Sequence, residues 1–326
     1  MKKMTLKMLV AACSLFAATS IHAQSAWQPT TTVEFIVPAG AGAALDTAAR
    51  QLQNLLIKEN IVKNFVITNR PGGNLAVALN VLDQHPGDGN YLMTLTTSII
   101  NNHILGSLNR SYQDYTPIAL LFREYVGVVV RADSPIKNGA DLIRIMKENP
   151  NKLHIGVATS VGNHIHVGIA SPLQKAGVAI DKLSVIPFKS SGISMTQLLG
   201  GHIDVVAATT PNLIHALKND KLRVIAIGSP ERMGGALSSI PTWKEQGVDV
   251  STSSVQGVLG PKNMTPAQVE FWATALKKIN DSKEWQAFLE HNQWKPFFYG
   301  PKETKLMLDR EYSSIKSILT TLGLAK

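Results

Sequence analysis

The stretch Thr32-Val-Glu-Phe-Ile-Val37 followed by Pro38-Ala-Gly-Ala-Gly-Ala43 and the run Leu45 to Glu59 decides the fold. The first piece is short, apolar and β-branched, which predicts a buried strand. The last piece repeats Leu45, Ala48, Ala49, Leu52, Leu55 and Leu56 at helical spacing. Between them lies a glycine-rich turn, so the chain passes from strand to helix through a backbone that can approach a ligand closely. Strand, small-residue loop and helix then recur: Phe65 to Thr68 leads into Asn69-Arg-Pro-Gly-Gly-Asn74, and Tyr91 to Leu95 into Thr96-Thr-Ser98. Alternation of this kind predicts an α/β fold with a parallel sheet, whose ligands bind beyond the carboxyl ends of the strands.

The same grammar restarts downstream. Tyr125 to Val130 reads as a strand, Gly139 to Lys147 as a helix, and Leu153 to Val157 as a strand opening onto Ala158-Thr-Ser-Val-Gly-Asn163. Leu183 to Phe188, His202 to Ala207 and Leu222 to Ile227 are further strand-like runs. Val255 to Pro261 is a last extended run, and Thr265 to Lys326 reads as almost wholly helical. A helical tail cannot make a sheet domain by itself, so it is expected to pack back on the first unit. Two lobes follow, each a sheet flanked by helices with the ligand cleft between them: residues 24–127 plus 255–326, and residues 128–254.

Residues 1–23 read as a secretory signal peptide. Lys2, Lys3 and Lys7 make a positive head, Met8 to Thr19 an apolar middle too short to span a bilayer, and Ser20-Ile-His-Ala23 a small-residue end. The exported chain is expected to start near Gln24, with periplasmic localisation. Val10-Ala-Ala-Cys13 also fits a lipoprotein cleavage box, but the apolar run continues past Cys13, which favours the unlipidated reading. Cys13 is the single cysteine of the 326 residues, so the exported chain forms no disulfide and offers no thiolate for zinc. Loss of the three leader lysines lowers the formal charge from +9 to +6. Basic runs interleaved with aromatics are missing, which argues against nucleic acid. The chain is expected to act as a monomer.

Four loops at strand ends carry the candidate ligand-binding residues. They are Ala39, Gly40, Ala41 and Gly42; Gly72, Gly73 and Asn74; Thr97 and Ser98; and Ser160, Gly162 and Asn163, joined by His166, Lys189 and Thr209. Small, donor-rich residues where helices begin suit an anion, because exposed N–H groups and the helix dipole point at it. One such loop is commonly a mere turn; four together are better explained by a shared anion cleft. Asp46 would repel a carboxylate, and its expected task is to order the first loop or the helix end. Gly40-x-Gly42 is not a dinucleotide fingerprint, since Leu45 occupies the third glycine position and the second strand ends at Asn69 rather than an acid. His154, His164 and His166 lack a further ligand at metal spacing, and no cofactor or metal is expected. Neither a nucleophile elbow nor paired carboxylates are present, which leaves catalysis without a seat.

The chain resembles the substrate-binding proteins of tripartite tricarboxylate transporters, the TctC or Bug type. The resemblance rests on Val37 to Asp46, Asn69-Arg-Pro-Gly72, Asp88-Gly89, Tyr115-Thr-Pro-Ile-Ala119, Ile186-Pro-Phe-Lys189, Leu198 to Asp204, Ser239 to Thr242 and Gly257 to Pro261, in that order. It implies a two-lobed periplasmic binding protein of type II-like architecture that closes on a carboxylate held by main-chain amides, hydroxyls and water. It further implies delivery of a di- or tricarboxylate to membrane transporter subunits. Ala43-Ala-Leu45 makes the first loop more apolar than is usual in the family, which suits an aromatic dicarboxylate such as terephthalate. Two other readings compete: an exported enzyme using His166 or Lys189 as acid or base, and a ligand-sensing adaptor for a membrane signalling partner.

Overall fold

The computed structural model describes residues Trp27–Lys326; the leader, Cys13 and the cleavage region around Ala23 and Gln24 lie outside the described residues. The opening stretch forms β1 (Val33–Val37) and α1 (Ala44–Lys58). Ala48, Ala49, Leu52, Leu55 and Leu56 are the buried stripe of α1, as the periodicity predicts. β2 (Phe65–Asn69), α2 (Ala76–Asp83), β3 (Tyr91–Thr96) and α3 (Ser98–Ile104) complete the first run. β1 pairs in parallel with both β2 and β3.

β4 (Thr116–Arg131) is the structural spine. At about 3.3 Å per residue it spans roughly 50 Å, enough to serve two sheets. Thr116 to Tyr125 pair antiparallel with β9 (Ser253–Gly260), which itself lies antiparallel to β3. Val126 to Arg131 pair instead with β7 (Val205–Thr209) and β8 (Leu222–Ile227), both antiparallel. β5 (His154–Ala158) lies parallel to β7 and to β6 (Ser184–Phe188). The pairing therefore changes sheet between Tyr125 and Val126. Around these strands pack α4 (Gly139–Glu148), α5 (His164–Lys175), α6 (Ser191–Leu199) and α7 (Thr210–Leu217). The tail supplies α8 (Pro266–Asn280), α9 (Lys283–His291) and α10 (Pro301–Thr321).

Two elements differ from expectation. β4 begins nine residues earlier than the strand read at Tyr125, because Pro117 is absorbed at a register shift against β9 rather than ending the strand. The tail is not wholly helical: Lys295–Tyr299 is a further strand, β10, antiparallel to β4. Gln293, with φ of 53°, stops α9 and redirects the chain. Pro296 is tolerated there because a short strand paired on one side leaves an N–H side free.

One apolar core runs continuously from Ile36, Leu79 and Leu95 to Ile155, Val157 and Val205, joined by Leu308, Ile315 and Leu319 of α10. A second lies between the first sheet, α1 and the tail helices, around Trp272 and Trp285, and a third around Leu198, Leu213 and Ile227. Thr265 caps α8 in a reciprocal capping box with Gln268. Gln174 Nε2 of α5 donates to Thr321 Oγ1 of α10 at 2.9 Å, so the last helix bridges elements of both sheets. Among the described residues no helix is long and apolar enough to cross a membrane.

Candidate functional site

Strand direction brings the predicted loops face to face. β1, β2 and β3 run in the same direction as β4, because β9 is antiparallel to both β3 and β4; their carboxyl ends point toward the second sheet. β7 runs against β4 with Thr209 opposite Val126, so the carboxyl ends of β5, β6 and β7 point back toward the first. The loops after β1, β2 and β3 thus face those after β5, β6 and β7 across the crossover at Tyr125 and Val126. They meet there: Asn101 Nδ2 of α3 donates to Gly162 O at 2.8 Å, and both groups are buried.

In the first loop Gly40, Ala41 and Gly42 are exposed. Gly42 has φ of +79°, and its N–H donates to Asp46 Oδ2 at 2.8 Å. Asp46 also accepts from Arg50 Nε at 2.9 Å and from Asn69 Nδ2 at 2.9 Å, and Asn69 Nδ2 reaches Ala39 O as well. Burial alone would push the Asp46 carboxyl up, but the bonds from Arg50, Gly42 and Asn69 outweigh it and hold the group below its ordinary value. Asp46 orders the loop, as expected. The amide of Gly42 is committed to it, whereas those of Ala39, Gly40 and Ala41 donate no hydrogen bond among the described residues.

Gly72, Gly73 and Asn74 are exposed and Asn74 O accepts from Asn102 Nδ2 at 3.0 Å. Thr97 is buried; its Oγ1 accepts from Val255 N at 2.9 Å, tying the end of β3 to the start of β9, while Ser98 is half-buried. Asn163 caps α5, its Oδ1 accepting from Ile165 N and His166 N and its Nδ2 donating to Ala158 O and Thr159 Oγ1. Every polar atom of its side chain is thus engaged by its own loop. Thr159 adopts φ of +64°, strained for a β-branched residue, and stands beside exposed Ser160. His166 is buried and its Nδ1 accepts from Gly162 N at 2.9 Å, so the imidazole shapes the loop from behind. Lys189 is exposed directly after β6, whose last residue Phe188 accepts from Thr159 N. Thr209 Oγ1 accepts from Asn212 Nδ2 at 3.1 Å at the start of α7. His154 is remote, at the other end of β5 and within 2.8 Å of Ser184 Oγ.

One group at the junction escaped the sequence reading. Glu124 lies 3.8 Å from His164 Nε2, and their side chains are only 12% and 21% exposed. Burial pushes Glu124 up to about 7, against the pull of Trp294 and Gln256, and burial lowers His164 to about 4. The signal available was an Arg123-Glu124 pair interrupting an otherwise apolar run from Ile118 to Val130. Glu311 of α10 is likewise raised to about 7 by burial, and His166 lowered to about 4. The signs oppose. Acids raised in the folded state gain stability as pH falls from about 7 to 4.5, and histidines depressed in it lose stability as pH falls from 6.5 to about 4. Thermal melting is therefore expected to stay nearly level between about pH 7 and 4.5, because two groups act in each direction. A steep fall in that window would mean that the acids are not buried in solution.

A hollow of about 60 Å³ lined by Thr97, His164, Ser171, Ser253 and Glu311 lies at the same junction. Larger open grooves, of about 490 Å³ between Met233, Gly234 and the α9 to β10 segment around Gln286 and Trp294, and of about 670 Å³ beside Arg144 and Lys175, are not lined by the predicted loop residues. They lack the converging amides, and size does not make them the better site.

Two sheets joined by a crossover strand, with loops converging from both, define a two-lobed solute-binding fold. The chain matches the tripartite tricarboxylate transporter family receptor over residues 48–324 and belongs to that family. It is 28% identical over 311 residues to the UPF0065 protein in the gbd 5' region of Cupriavidus necator, covering 95% of this chain and 93% of that protein. It is similar to a TctC solute-binding protein from Polaromonas, with TM-score 0.76 and 23% identity over 90% of this chain and 99% of the other. R. palustris Rpa4515, solved with adipate, has TM-score 0.75 and 25% identity over 91% of this chain and 99% of its own.

Proposed function

We propose that the chain is a periplasmic receptor that captures a small organic carboxylate in the junction between its lobes and passes it to the membrane subunits of a tripartite tricarboxylate-type transporter, without catalysing a reaction. The proposed lobes are 24–127 plus 255–326 and 128–254, a division supported by the change of pairing partner near their border, between Tyr125 and Val126. The observation that carries the reading is the confrontation of six strand-end loops, with the amides of Ala39 to Ala41 free and the first turns of α5, α6 and α7 directed at the junction. The carboxylate is held by backbone N–H groups of Ala39, Gly40, Ala41, Gly72, Gly73 and Asn74 from one side. Ser98 serves from the same side and Ser160 and Thr209 from the other, with Lys189 as a counter-charge, while Gly162, whose N–H and carbonyl are both bonded within the protein, shapes its loop. Gly42, Asn163, Thr97 and His166 act by holding these loops in shape.

The 25% identity to a protein solved with adipate places aliphatic dicarboxylates in the test set, next to citrate and terephthalate. Calorimetry of the leader-free protein against that panel is expected to give saturable binding of at least one acid, with the ligand recovered unchanged. Silence across the panel, or conversion of the ligand, overturns the reading. Lys189→Ala is expected to weaken the bound acid by roughly ten- to a hundredfold, the loss of one bond to a charged group, and not to abolish binding. Complete loss would make an ion pair, rather than an amide cradle, the principal grip.

A further inference from the structure

We infer that Glu124, with His164 beside it, reads the far end of the ligand and selects a carboxylate whose opposite end is an uncharged hydrogen-bond donor over one that is a dianion. This deepens the carboxylate-receptor reading and rests on it.

Position comes first. Glu124 stands opposite Ser254 in the β4 and β9 pairing, one residue from Val255, which bonds Thr97. Two residues on, Val126 faces Thr209. His164 is the first residue of α5, directly after Gly162 and Asn163. Glu124 is thus enclosed by the loops that carry Thr97, Gly162 and Thr209, at the floor of the junction and not in the core of either sheet.

Unmet hydrogen-bonding capacity comes second. Neither nitrogen of His164 has a partner, and Gln256, two residues along β9 and only 4% exposed, leaves its Oε1 unpaired. Buried polar groups are normally satisfied, so a cluster that is not is a place for water or ligand. At 3.8 Å the Glu124 and His164 side chains are too far apart to satisfy each other.

Charge decides what fits. Burial raises Glu124 to about 7 and depresses His164 to about 4, so the imidazole stays neutral while the acid is poised near neutrality. From β9 the facing groups, Ser254 and Gln256, are uncharged, and from the segment before β10 so is Trp294. Arg123 lies on the other face of β4, its guanidinium 3.3 Å from the centre of the Phe297 ring, and Glu311 of α10, a second acid raised to about 7, lines the hollow that His164 also lines. His166 of α5 is buried and neutral, turned to Gly162. A second carboxylate arriving here meets an acid with no neighbouring cation and must hold that acid protonated to bind. An amide or hydroxyl donates to the acid in either state.

The probes are adipate and its monoamide, which share a chain and differ at one end. Calorimetry at pH 6 and pH 8 is expected to show adipate weakening about tenfold or more as Glu124 ionises, and the monoamide holding its affinity and being preferred at pH 8. Glu124→Gln, which preserves shape and cannot ionise, is expected to level the adipate profile; a melting curve confirms that the variant is folded. The wild-type comparison needs no variant. Adipate binding equally at both pH values, or an unaltered pH slope in Glu124→Gln, overturns the inference alone. Silence with both probes overturns it as well, and only silence across the whole acid panel overturns the receptor reading beneath it.

Discussion

Gly162→Val is expected to abolish ligand binding and to lower stability by about 3 kcal/mol or more. Three constraints coincide at this residue. Its φ is +85°, a conformation that a β-branched side chain strongly disfavours. A Cβ built there would lie 2.7 Å from Leu105 Cδ2, so the half-buried Leu105 side chain, directly after α3 on the opposite side of the junction, must turn aside. Its N–H donates to His166 Nδ1 at 2.9 Å and its carbonyl accepts from Asn101 Nδ2 at 2.8 Å, so any backbone shift that relieves the clash breaks a buried bond. Gly40→Val is the matched comparison: φ there is not positive and nothing lies within 4 Å of an added Cβ. That variant should fold like the wild type and lose affinity only if the ligand approaches the first loop. Gly42→Val falls between them, strained at φ of +79° but sterically open. Thermal melting and calorimetry on the three variants give the ranking. Normal stability and normal binding in Gly162→Val would remove this loop from the site.

Which parts of this arrangement were legible in the sequence follows from how local their causes are. β1, its loop and α1 were readable because each is specified within a few residues: an apolar β-branched run, positive-φ glycine, and an apolar stripe at helical spacing. Asp46 was readable for the same reason, since its partners Gly42 and Arg50 are four residues away on either side. β10 was not, because five residues between two helices form a strand only when β4, far upstream at Leu120 to Arg123, offers them an edge in register. Lys295 pairs with Arg123, and nothing in the local pattern announces it. The division of labour within the loops was equally hidden. Asn163 resembles a ligand donor in sequence, but the α5 cap consumes both ends of its amide. Glu124 shows the converse: in a strand read as apolar a charged residue looks like an exposed edge position, and only the crossing of two sheets at the next residue encloses it.

Asp46→Ala is the second large effect, and it separates loop order from direct ligand contact. The carboxylate collects three donors, Gly42 N, Arg50 Nε and Asn69 Nδ2, and Asn69 in turn holds Ala39 O. Removing it leaves the exposed Gly42 amide to water, takes from half-buried Asn69 one of its two acceptors, and loosens both the first loop and the end of β2, for an expected loss of about 1–2 kcal/mol. Arg50 is half exposed and regains water, so the cost comes from the Gly42 and Asn69 side. Because the folded-state value of Asp46 is depressed, its contribution is present above the ordinary carboxylate range and is lost as pH falls through the folded value, below the window in which the buried histidines and glutamates act. The wild type should therefore lose stability below about pH 4, and Asp46→Ala should lose less there while starting lower at neutral pH. Affinity should fall with the loop even though Asp46 itself, being anionic, cannot attract the carboxylate. Asp46→Asn discriminates further: its Oδ1 can still accept from Gly42, and it should recover part of the stability while losing the acid dependence. If Asp46→Ala instead tightened binding, the carboxylate would have to lie within repulsive reach of the ligand, and the first loop would be a selectivity gate rather than an anion cradle.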